Sequence, residues 1–257
     1  MTSFQLDISN GIAQLTLRRP ERLNALTSEM MDDLMAICRR IEKAKDAHVT
    51  ILSGEGRAFC AGGDIDAWSG LSADHFARHW IRDGHQALDA LARLRQPVIA
   101  VLNGHALGGG LELAACADLR IAESHIRIGQ PEPGLGVIPG WSGTQRAARR
   151  FGPQLLRRMV LFGEVFTATD ALDLGIVDHV VETGEGVKTA TELARTLRHR
   201  GPVATELAKM MINAAEGEER ERVLDAMAGR IAAAQPELQT GLAAFKDRRK
   251  ADFWDVS

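Results

Sequence analysis

The sequence predicts an α/β fold followed by a helical C-terminal region, and three observations support this prediction. Short runs rich in β-branched residues alternate with segments of helical periodicity up to about residue 141. After that point strand signals nearly vanish, and helical periodicity dominates from Thr189 onward. The helical pieces are separated by glycines and prolines: Gly201-Pro202, Gly217 and Pro236. Because 257 residues allow one large domain with an appendage but not three domains, we place the core at residues 1–195 and the helical region at residues 196–257.

The first elements are predicted to be a hairpin, a helix and a buried strand. Phe4–Ser9 and Ile12–Leu17 alternate apolar and polar residues around Asn10-Gly11, a pair typical of a type I′ turn. Thr27 is predicted to cap the helix that follows, whose apolar residues recur at helical spacing. A short apolar run at residues 49–53 then predicts a strand that leads into a glycine-rich loop.

The next elements repeat this order. A second helix is predicted at about residues 74–94, a strand at Val98–Leu102, and a helix from Gly108-Gly109-Gly110 to Cys116. Strand, helix, strand, glycine-rich loop and helix is the order typical of right-handed crossover units. Weaker signals follow: a helix beginning at Pro153, a helix capped by Thr167 or Thr169, and a last short strand at residues 177–181.

Composition excludes several classes of protein. Lys and Arg number 31 against 34 Asp and Glu, a net charge of −3, so no global positive field would recruit nucleic acid or an anionic membrane. Three cysteines are too few for a secreted disulfide scaffold and indicate a reducing compartment. No apolar run approaches the ~18 residues of a membrane span, and the N-terminus has neither the basic nor the apolar part of a signal peptide. We therefore expect a cytoplasmic protein.

Three cofactor signatures are weak or absent. The glycines of residues 134–140 are spaced G-x-G-x-x-x-G with Pro139 among them, which does not match a dinucleotide fingerprint. No phosphate-binding P-loop sequence occurs. His75 and His79 have a metal-compatible spacing, but no Glu follows His75 as in H-E-x-x-H and the neighbours are charged, so surface histidines are the preferred interpretation. We expect neither a metal nor a redox cofactor.

Two glycine-rich turns, at residues 58–64 and 107–112, each follow a predicted buried strand. Glycine permits close approach of a ligand to the backbone. A helix that begins at the triple glycine would also present unpaired N–H groups. Two such donors that meet at one point would form an oxyanion hole, although tight turns needed only for packing are the alternative.

Two glutamates lie near these turns in the sequence. Glu112 would occupy the first turn of the helix, and Glu132 lies between prolines, where Pro133 favours an extended conformation for it. Two carboxylates around one water can act as general base and general acid. Spacing alone equally allows Glu112 to complement the helix dipole and Glu132 to face solvent.

At these residues the sequence resembles the crotonase, or enoyl-CoA hydratase/isomerase, superfamily, most closely its enoyl-CoA hydratase branch. The matching segments lie in the family's order along almost the whole chain: residues 19–26 (RPERLNAL), 56–65 (GRAFCAGGDI), 103–113 (NGHALGGGLEL), 129–132 (GQPE), 138–140 (IPG), 143–146 (GTQR) and 169–177 (TDALDLGIV). The resemblance implies a spiral of ββα units whose helical C-terminal region builds trimers, commonly paired into hexamers.

The resemblance also implies the ligand and the site. The ligand would be an acyl-CoA thioester, with coenzyme A as part of the substrate and no further cofactor. The N–H groups of Gly63 and Gly109 would hold the thioester oxygen, and Glu112 and Glu132 would flank the attacking water. The substrate-binding residues implied by the match are Arg22, Ala25, Ala61, Gly63, Asp64, Ile65, Asp66, Trp68, Gly109 and Lys246.

The expected reaction is therefore the reversible hydration of a 2-enoyl-CoA to a 3-hydroxyacyl-CoA. An enoyl-CoA isomerase, which needs one carboxylate near Glu132, is the nearest alternative. A non-catalytic RNA-binding or scaffolding homologue is a third, supported only by a local arginine cluster: Arg146, Arg149, Arg150, Arg157 and Arg158.

Departures from the family pattern concern the acyl pocket. Pro133 stands where the family more often has an aliphatic residue, and Trp141-Ser142 replaces a pair of small residues. Trp141 can either narrow the acyl pocket or pack in the core, and packing is preferred. Trp68 is the other candidate for contact with the acyl chain. The absence of tyrosine excludes chemistry that depends on a phenol.

Overall fold

The computed structural model describes residues 3–218, 226, 228–229, 231 and 233–253. The chain divides into two compact units, Met1–Leu207 and Ala208–Ser257. The boundary expected after residue 195 falls in the last turn of the helix Gly186–Thr196, inside the first unit.

The first unit contains two sheets built from ten strands. The strands are β1 (Phe4–Ser9), β2 (Ile12–Leu17), β3 (Val49–Gly54), β4 (Ala58–Cys60), β5 (Val98–Leu102), β6 (His105–Leu107), β7 (Leu119–Glu123), β8 (Arg127–Gly129), β9 (Val165–Thr167) and β10 (His179–Val181). The larger sheet has the order β1-β2-β3-β5-β7-β10, antiparallel only between β1 and β2. The smaller sheet has the order β4-β6-β8-β9, antiparallel only between β8 and β9.

Helices connect and cover these strands. They are α1 (Ser28–Lys43), α2 (Ile65–Trp68), α3 (Ala73–His75), α4 (Arg82–Ala92), α5 (Gly109–Ala114), α6 (Arg146–Phe151), α7 (Pro153–Phe162), α8 (Ala168–Asp173), α9 (Gly186–Thr196), α10 (Pro202–Ala215) and α11 (Glu237–Lys246). Short 3₁₀ turns lie at Pro20–Arg22, Glu132–Leu135 and Leu197–His199, and a π-helical turn at Phe76–Ile81 joins α3 to α4. No helix among the described residues is long and apolar enough to cross a membrane.

Local sequence signals explain the first elements. Asn10 and Gly11 both have positive φ, 53° and 85°, as a type I′ turn requires. The Thr27 side chain accepts the N–H of Met30 and begins α1. Strands β1, β2 and β5 have the predicted bounds, so these predictions are confirmed.

The expected spiral of ββα units is confirmed. In each of the pairs β3–β4, β5–β6 and β7–β8, the first strand joins the larger sheet and the second joins the smaller sheet. A helical segment follows each pair before the chain returns to the larger sheet or, after β8, to the smaller one. Consecutive units therefore place their loops side by side along one edge of the smaller sheet.

Strands β4, β6, β7, β8 and β9 were not predicted from the sequence, and residues 58–60 were expected to belong to a loop. Within β7, Arg120 interrupts the apolar run, yet it is buried, because its guanidinium donates to the carbonyl oxygens of Ile176 and Ala117 at 2.8 Å. Because of the charged Arg120, the sequence pattern does not indicate a buried strand here. Strands β8 and β9 have three residues each, which is too short for a period to be recognised.

The C-terminal region is helical where it is described, as expected. Helix α9 packs Ala190 and Ala194 onto apolar side chains of the larger sheet. In the second unit, α11 follows Pro236 and ends at Lys246. The expected role of this region in building trimers remains a prediction.

Candidate active site

The two glycine-rich turns meet. Gly62 and Gly63 follow β4, and Gly108 and Gly109 follow β6, the neighbouring strand. A Cβ on Gly62 would lie 3.3 Å from the Gly109 nitrogen, and one on Gly109 would lie 3.4 Å from the Gly63 nitrogen. Gly62 and Gly108 have φ of 107° and 55°, so both turns depend on glycine.

The N–H groups of Gly63 and Gly109 donate no hydrogen bond to any described residue, although their neighbours do. The N–H of Asp64 donates to the carbonyl oxygen of Leu26 at 2.8 Å, and the N–H of Gly108 donates to that of Gly129 at 2.9 Å. Backbone contacts thus hold both turns while leaving two adjacent donors unused. Such a pair suits a developing oxyanion.

Both donors border a cleft of about 120 Å³. The lining combines glycines, two carboxylates and a mainly apolar wall: Ala61, Gly62, Gly63, Ile65, Trp68, Phe76, Trp80, Ile81, Gly108, Gly109, Glu112, Pro131, Glu132, Leu135, Val137, Ile138, Gly140 and Trp141. A small apolar pocket with few polar groups is typical of a substrate site.

Glu112 is held rigidly. It lies in α5 with 3% of its surface exposed, and its Oε1 accepts the N–H groups of Trp141 and Gly143, both at 2.7 Å. A Cβ on Gly143 would lie 2.6 Å from that oxygen, so only glycine allows this approach. No described residue donates to Oε2, which is left to bind a water or substrate.

Glu132 is held differently. The expected extended conformation is wrong, because Glu132 begins a 3₁₀ turn with Pro133 in its first turn. Proline is tolerated there since its missing N–H would have no partner in the turn. Both carboxylate oxygens of Glu132 are buried, and neither accepts a hydrogen bond. A Cβ on Gly108 would lie 3.3 Å from Oε1, so this carboxylate reaches the start of α5.

Burial changes the protonation of both groups. Burial raises the pKa of Glu112 to about 8, and the negative charge of Glu132 adds to this shift, while the two N–H donors and Arg146 oppose it. Burial also raises the pKa of Glu132 above its usual range. Two neighbouring carboxyls in this state retain a proton near neutral pH, which suits acid–base work.

Both candidate tryptophans line the cleft. Trp141 is buried, and its indole N–H donates to the carbonyl oxygen of Trp80 at 2.9 Å, with the ring centroids 4.9 Å apart. Trp68 is half-buried and packs edge-on against Phe76 at 5.8 Å. Trp141 therefore packs in the core and also borders the cleft. Core packing and contact with an acyl chain are thus compatible roles for this residue.

The other predicted binding residues are distributed as follows. Ala61, Gly63, Ile65, Trp68 and Gly109 line the cleft. The remaining residues do not line it: Arg22, Ala25, Asp64, Asp66 and Lys246. Lys246 ends α11 in the second unit. Contact of any of them with coenzyme A remains a prediction.

Asp64 has a structural role. It is buried, its Oδ2 accepts Arg19 Nη1 at 2.6 Å, and its Oδ1 caps α2 by accepting the Asp66 N–H. Burial opposes ionisation of Asp64, but the hydrogen bond and charge of Arg19 outweigh it, so its pKa lies below the usual range. Arg19 also donates to the carbonyl oxygen of Ala25, while exposed Arg22 pairs with exposed Asp66 at 3.1 Å.

Sequence reasoning missed the π-helical part of the cleft wall. Phe76, Trp80 and Ile81 all belong to the Phe76–Ile81 turn, a rare geometry that is frequent at functional sites. The available signal was the i, i+4 spacing of Phe76 and Trp80 between charged residues.

Two other reactive residue types are accounted for. Cys60 is buried, and burial raises the pKa of its thiol to about 12, so it is not a nucleophile at neutral pH. His75 and His79 contact each other edge to face with ring centroids 4.9 Å apart, and His79 Nδ1 lies 3.2 Å from the Asp83 carboxylate. Within the part of the chain that the structure describes, no three histidine, cysteine, aspartate or glutamate side chains converge as metal ligands would.

Known proteins share this sequence and fold. The family described as enoyl-CoA hydratase/isomerase matches residues 7–256. A short-chain-enoyl-CoA hydratase of Clostridium acetobutylicum is 38% identical over 209 residues, 81% of this chain and 80% of that protein. A crotonyl-CoA hydratase of Syntrophomonas wolfei is 33% identical over 251 residues, 96% of each chain. The crystal structure of an enoyl-CoA hydratase from Bacillus anthracis aligns with a TM-score of 0.79 at 29% identity, covering 98% of this chain and 99% of that one.

The match spans almost the whole chain, and the glycine turns and paired glutamates lie within it. The protein belongs to the enoyl-CoA hydratase/isomerase family.

Proposed function

We propose that the protein catalyses the reversible addition of water across the 2,3 double bond of a 2-enoyl-CoA. The observation that carries this proposal is one cleft that holds the buried Glu112 and the half-buried Glu132, whose carboxylate oxygens are buried, beside two unused N–H groups. Relatives named as hydratases at 33–38% identity support it.

The proposed first contact is with the thioester carbonyl oxygen. The N–H groups of Gly63 and Gly109 donate to this oxygen, which gains negative charge as the double bond is polarised. Backbone donors in a site with little water need no reorganisation during the reaction, and one such donor contributes roughly 3–4 kcal/mol in a studied protease.

The proposed proton route uses both carboxyls. Glu112 orients the water through Oε2 and takes one of its protons, while the water oxygen bonds to C3. Before hydration the shared proton moves from Glu112, whose pKa is raised to about 8, to Glu132, which then gives it to C2 and completes the 3-hydroxyacyl product. The pair begins and ends with one proton, which passes from Glu112 back to Glu132 before the next turnover.

The direct test is hydration of crotonyl-CoA by the wild type and by Glu132→Gln. The amide keeps the shape of the carboxyl but cannot supply the proton, so we expect kcat to fall by about 10²–10⁴-fold. The proposal fails if the wild type hydrates no enoyl-CoA, or if the variant retains full activity.

An isomerase that moves a 3,4 double bond to the 2,3 position is the second candidate. It is favoured by one observation: the carboxylate of Glu132 alone has no hydrogen-bond partner and can act as a single base. Glu112→Gln separates the two reactions, because a hydratase should lose most of its activity and an isomerase should keep most of it. Parallel assays with 2-enoyl- and 3-enoyl-CoA substrates measure both.

The arginine cluster gives little support to an RNA-binding role. Arg146 is buried and pairs with Asp89 at 2.6 Å, and Arg158 pairs with Glu164. Two of the five arginines are therefore paired with carboxylates of this chain, while Arg149 and Arg157 are exposed. RNA affinity that decreases with salt and survives loss of both glutamates would reverse this conclusion.

Arg22 and Lys246 are proposed to bind the phosphates of coenzyme A.

The chain is proposed to form homotrimers or dimers of trimers in the cytoplasm. Light scattering of the purified protein measures the subunit number. A monomer active at assay concentration would contradict the trimer.

A further inference from the structure

We infer that Trp141, backed by Trp80, forms the end wall of the acyl pocket and restricts the enzyme to short enoyl groups of about four carbons. This inference rests on the proposed enoyl-CoA chemistry and adds the substrate class. It gives Trp141 a role in substrate specificity in addition to the core packing that the sequence favours.

The first observation is the position of the Trp141 indole against the oxyanion turns. A Cβ on Gly109 would lie 2.7 Å from Trp141 Cζ3, and one on Gly63 would lie 3.5 Å from Trp141 Cη2. The ring therefore covers the Cα atoms of both residues whose N–H groups receive the thioester oxygen. An acyl chain attached to that carbonyl must begin beside this ring.

The second observation is that the indole cannot easily move aside. Its N–H is bound to the Trp80 carbonyl oxygen at 2.9 Å, and the ring packs over Gly84, where any Cβ would overlap it. Trp80 lies on the same side of Gly63 as Trp141, because a Cβ on Gly63 would lie 2.6 Å from Trp80 Cζ2. Both tryptophans are at least 95% buried, so the wall is part of the core.

The third observation is the size of the cleft. Its volume of about 120 Å³ lies below the roughly 300–1,000 Å³ of pockets that hold drug-sized ligands. A crotonyl-sized group fits such a space, and a longer chain that extends toward the two indoles would meet them. Trp68, on the cleft wall, is half-buried, and its indole N–H donates to no described residue, so we assign it no part in the length limit.

The test compares kcat/KM for 2-enoyl-CoA substrates of four, six, eight and ten carbons. The wild type should prefer four carbons over eight by at least tenfold. Trp141→Ala should reduce this preference by at least tenfold, because the space it vacates accepts further methylene groups. The ratio within each variant is the readout, since it cancels any general loss of activity.

Trp68→Ala is the comparator, the same substitution elsewhere on the same cleft. Its eight-to-four-carbon ratio should stay within threefold of the wild-type ratio. Trp141→Leu is the second variant in case Trp141→Ala does not fold, because it retains apolar volume and the backbone N–H to Glu112. It should shift the preference toward six carbons, and thermal melting of each variant checks that it is folded.

Three outcomes overturn the inference: a wild type that prefers eight carbons, folded Trp141 variants with the wild-type ratio, or an equal shift in Trp68→Ala. These outcomes differ from failure of the proposed function, in which the wild type hydrates no enoyl-CoA of any length.

Discussion

Glu112 and Glu132 share one cleft, but two different regions of the molecule hold them. Glu112 lies on a helix, and two N–H groups fix one of its oxygens at 2.7 Å. Glu132 lies on a 3₁₀ turn, and neither of its buried oxygens has a partner. The position of the first is set by hydrogen bonds, whereas the position of the second is set by its turn, and burial raises the pKa of both carboxyls. This difference matches a division of work between orienting a water and transferring a proton.

The largest effect on this comparison is expected when the hydrogen bonds that position Glu112 are disturbed. In Gly143→Ala the new Cβ would lie 2.6 Å from Glu112 Oε1 and 2.5 Å from Gln130 Nε2, so the carboxylate must move. Because a small misplacement of a catalytic group can cost about 10²-fold, we expect kcat to fall by that order or more, with a smaller change in KM.

Gly134→Ala is the matched control for this variant. Gly134 lies on the 3₁₀ turn that carries Glu132, but a Cβ there would meet nothing within 4 Å. Its kcat should stay close to that of the wild type. Equal losses in the two alanine variants would mean that general disturbance, not displacement of Glu112, causes the effect.

The pH dependence of turnover tests whether Glu112 and Glu132 share one proton. The pair needs one proton, and the pKa of Glu112 is raised to about 8. Above that pH both carboxyls are ionised, so kcat/KM should fall by about tenfold per pH unit. A pH profile that is flat from 7 to 10 would show that no shared proton takes part.

A smaller effect is expected on stability. The pKa of Glu112 rises from 4.5 to about 8 on folding, so the folded chain binds the proton more strongly. The resulting stabilisation is complete below the unfolded pKa and is lost as pH rises through this window. Glu112→Gln stays neutral, so relative to it the wild type should lose at most about 1.4 kcal/mol per pH unit. Urea unfolding of both proteins at pH 5 and pH 8 measures this, and parallel pH curves would contradict it.

The smallest effect is expected at the exposed pair Arg22–Asp66. Exposed ion pairs contribute about 0–1 kcal/mol, so Arg22→Ala should barely change the melting temperature. If Arg22 meets a coenzyme A phosphate as proposed, KM should rise severalfold with kcat unchanged. An unchanged KM would remove Arg22 from the binding set.

The sequence was sufficient for features that depend on neighbouring residues. The Asn10-Gly11 turn and the Thr27 cap are local, and both are present in the structure. The positions of the glycine turns and of both glutamates followed from their order along strands and loops. The family resemblance then supplied the fold, which is confirmed.

Other features depend on contacts between distant segments. The strand around Arg120 was hidden because its charge is satisfied by carbonyl oxygens as far away as Ile176. The 3₁₀ turn at Glu132 prevailed over the preference that Pro133 imposes. The Trp141 wall depends on three glycines, at positions 63, 84 and 109, brought together from separate segments. No spacing within one segment contains this information.

The ladder between β6 and β8 has a consequence for how this site can change. Leu107 pairs with Gly129, and the next residue, Gly108, donates its N–H to the same glycine. The oxyanion turn and the Glu132 loop thus leave adjacent strands at one fixed register. A slip of one residue would move one loop past the other by about 3.3 Å and separate the donors from the proton source. An insertion between either strand and its loop should therefore abolish activity.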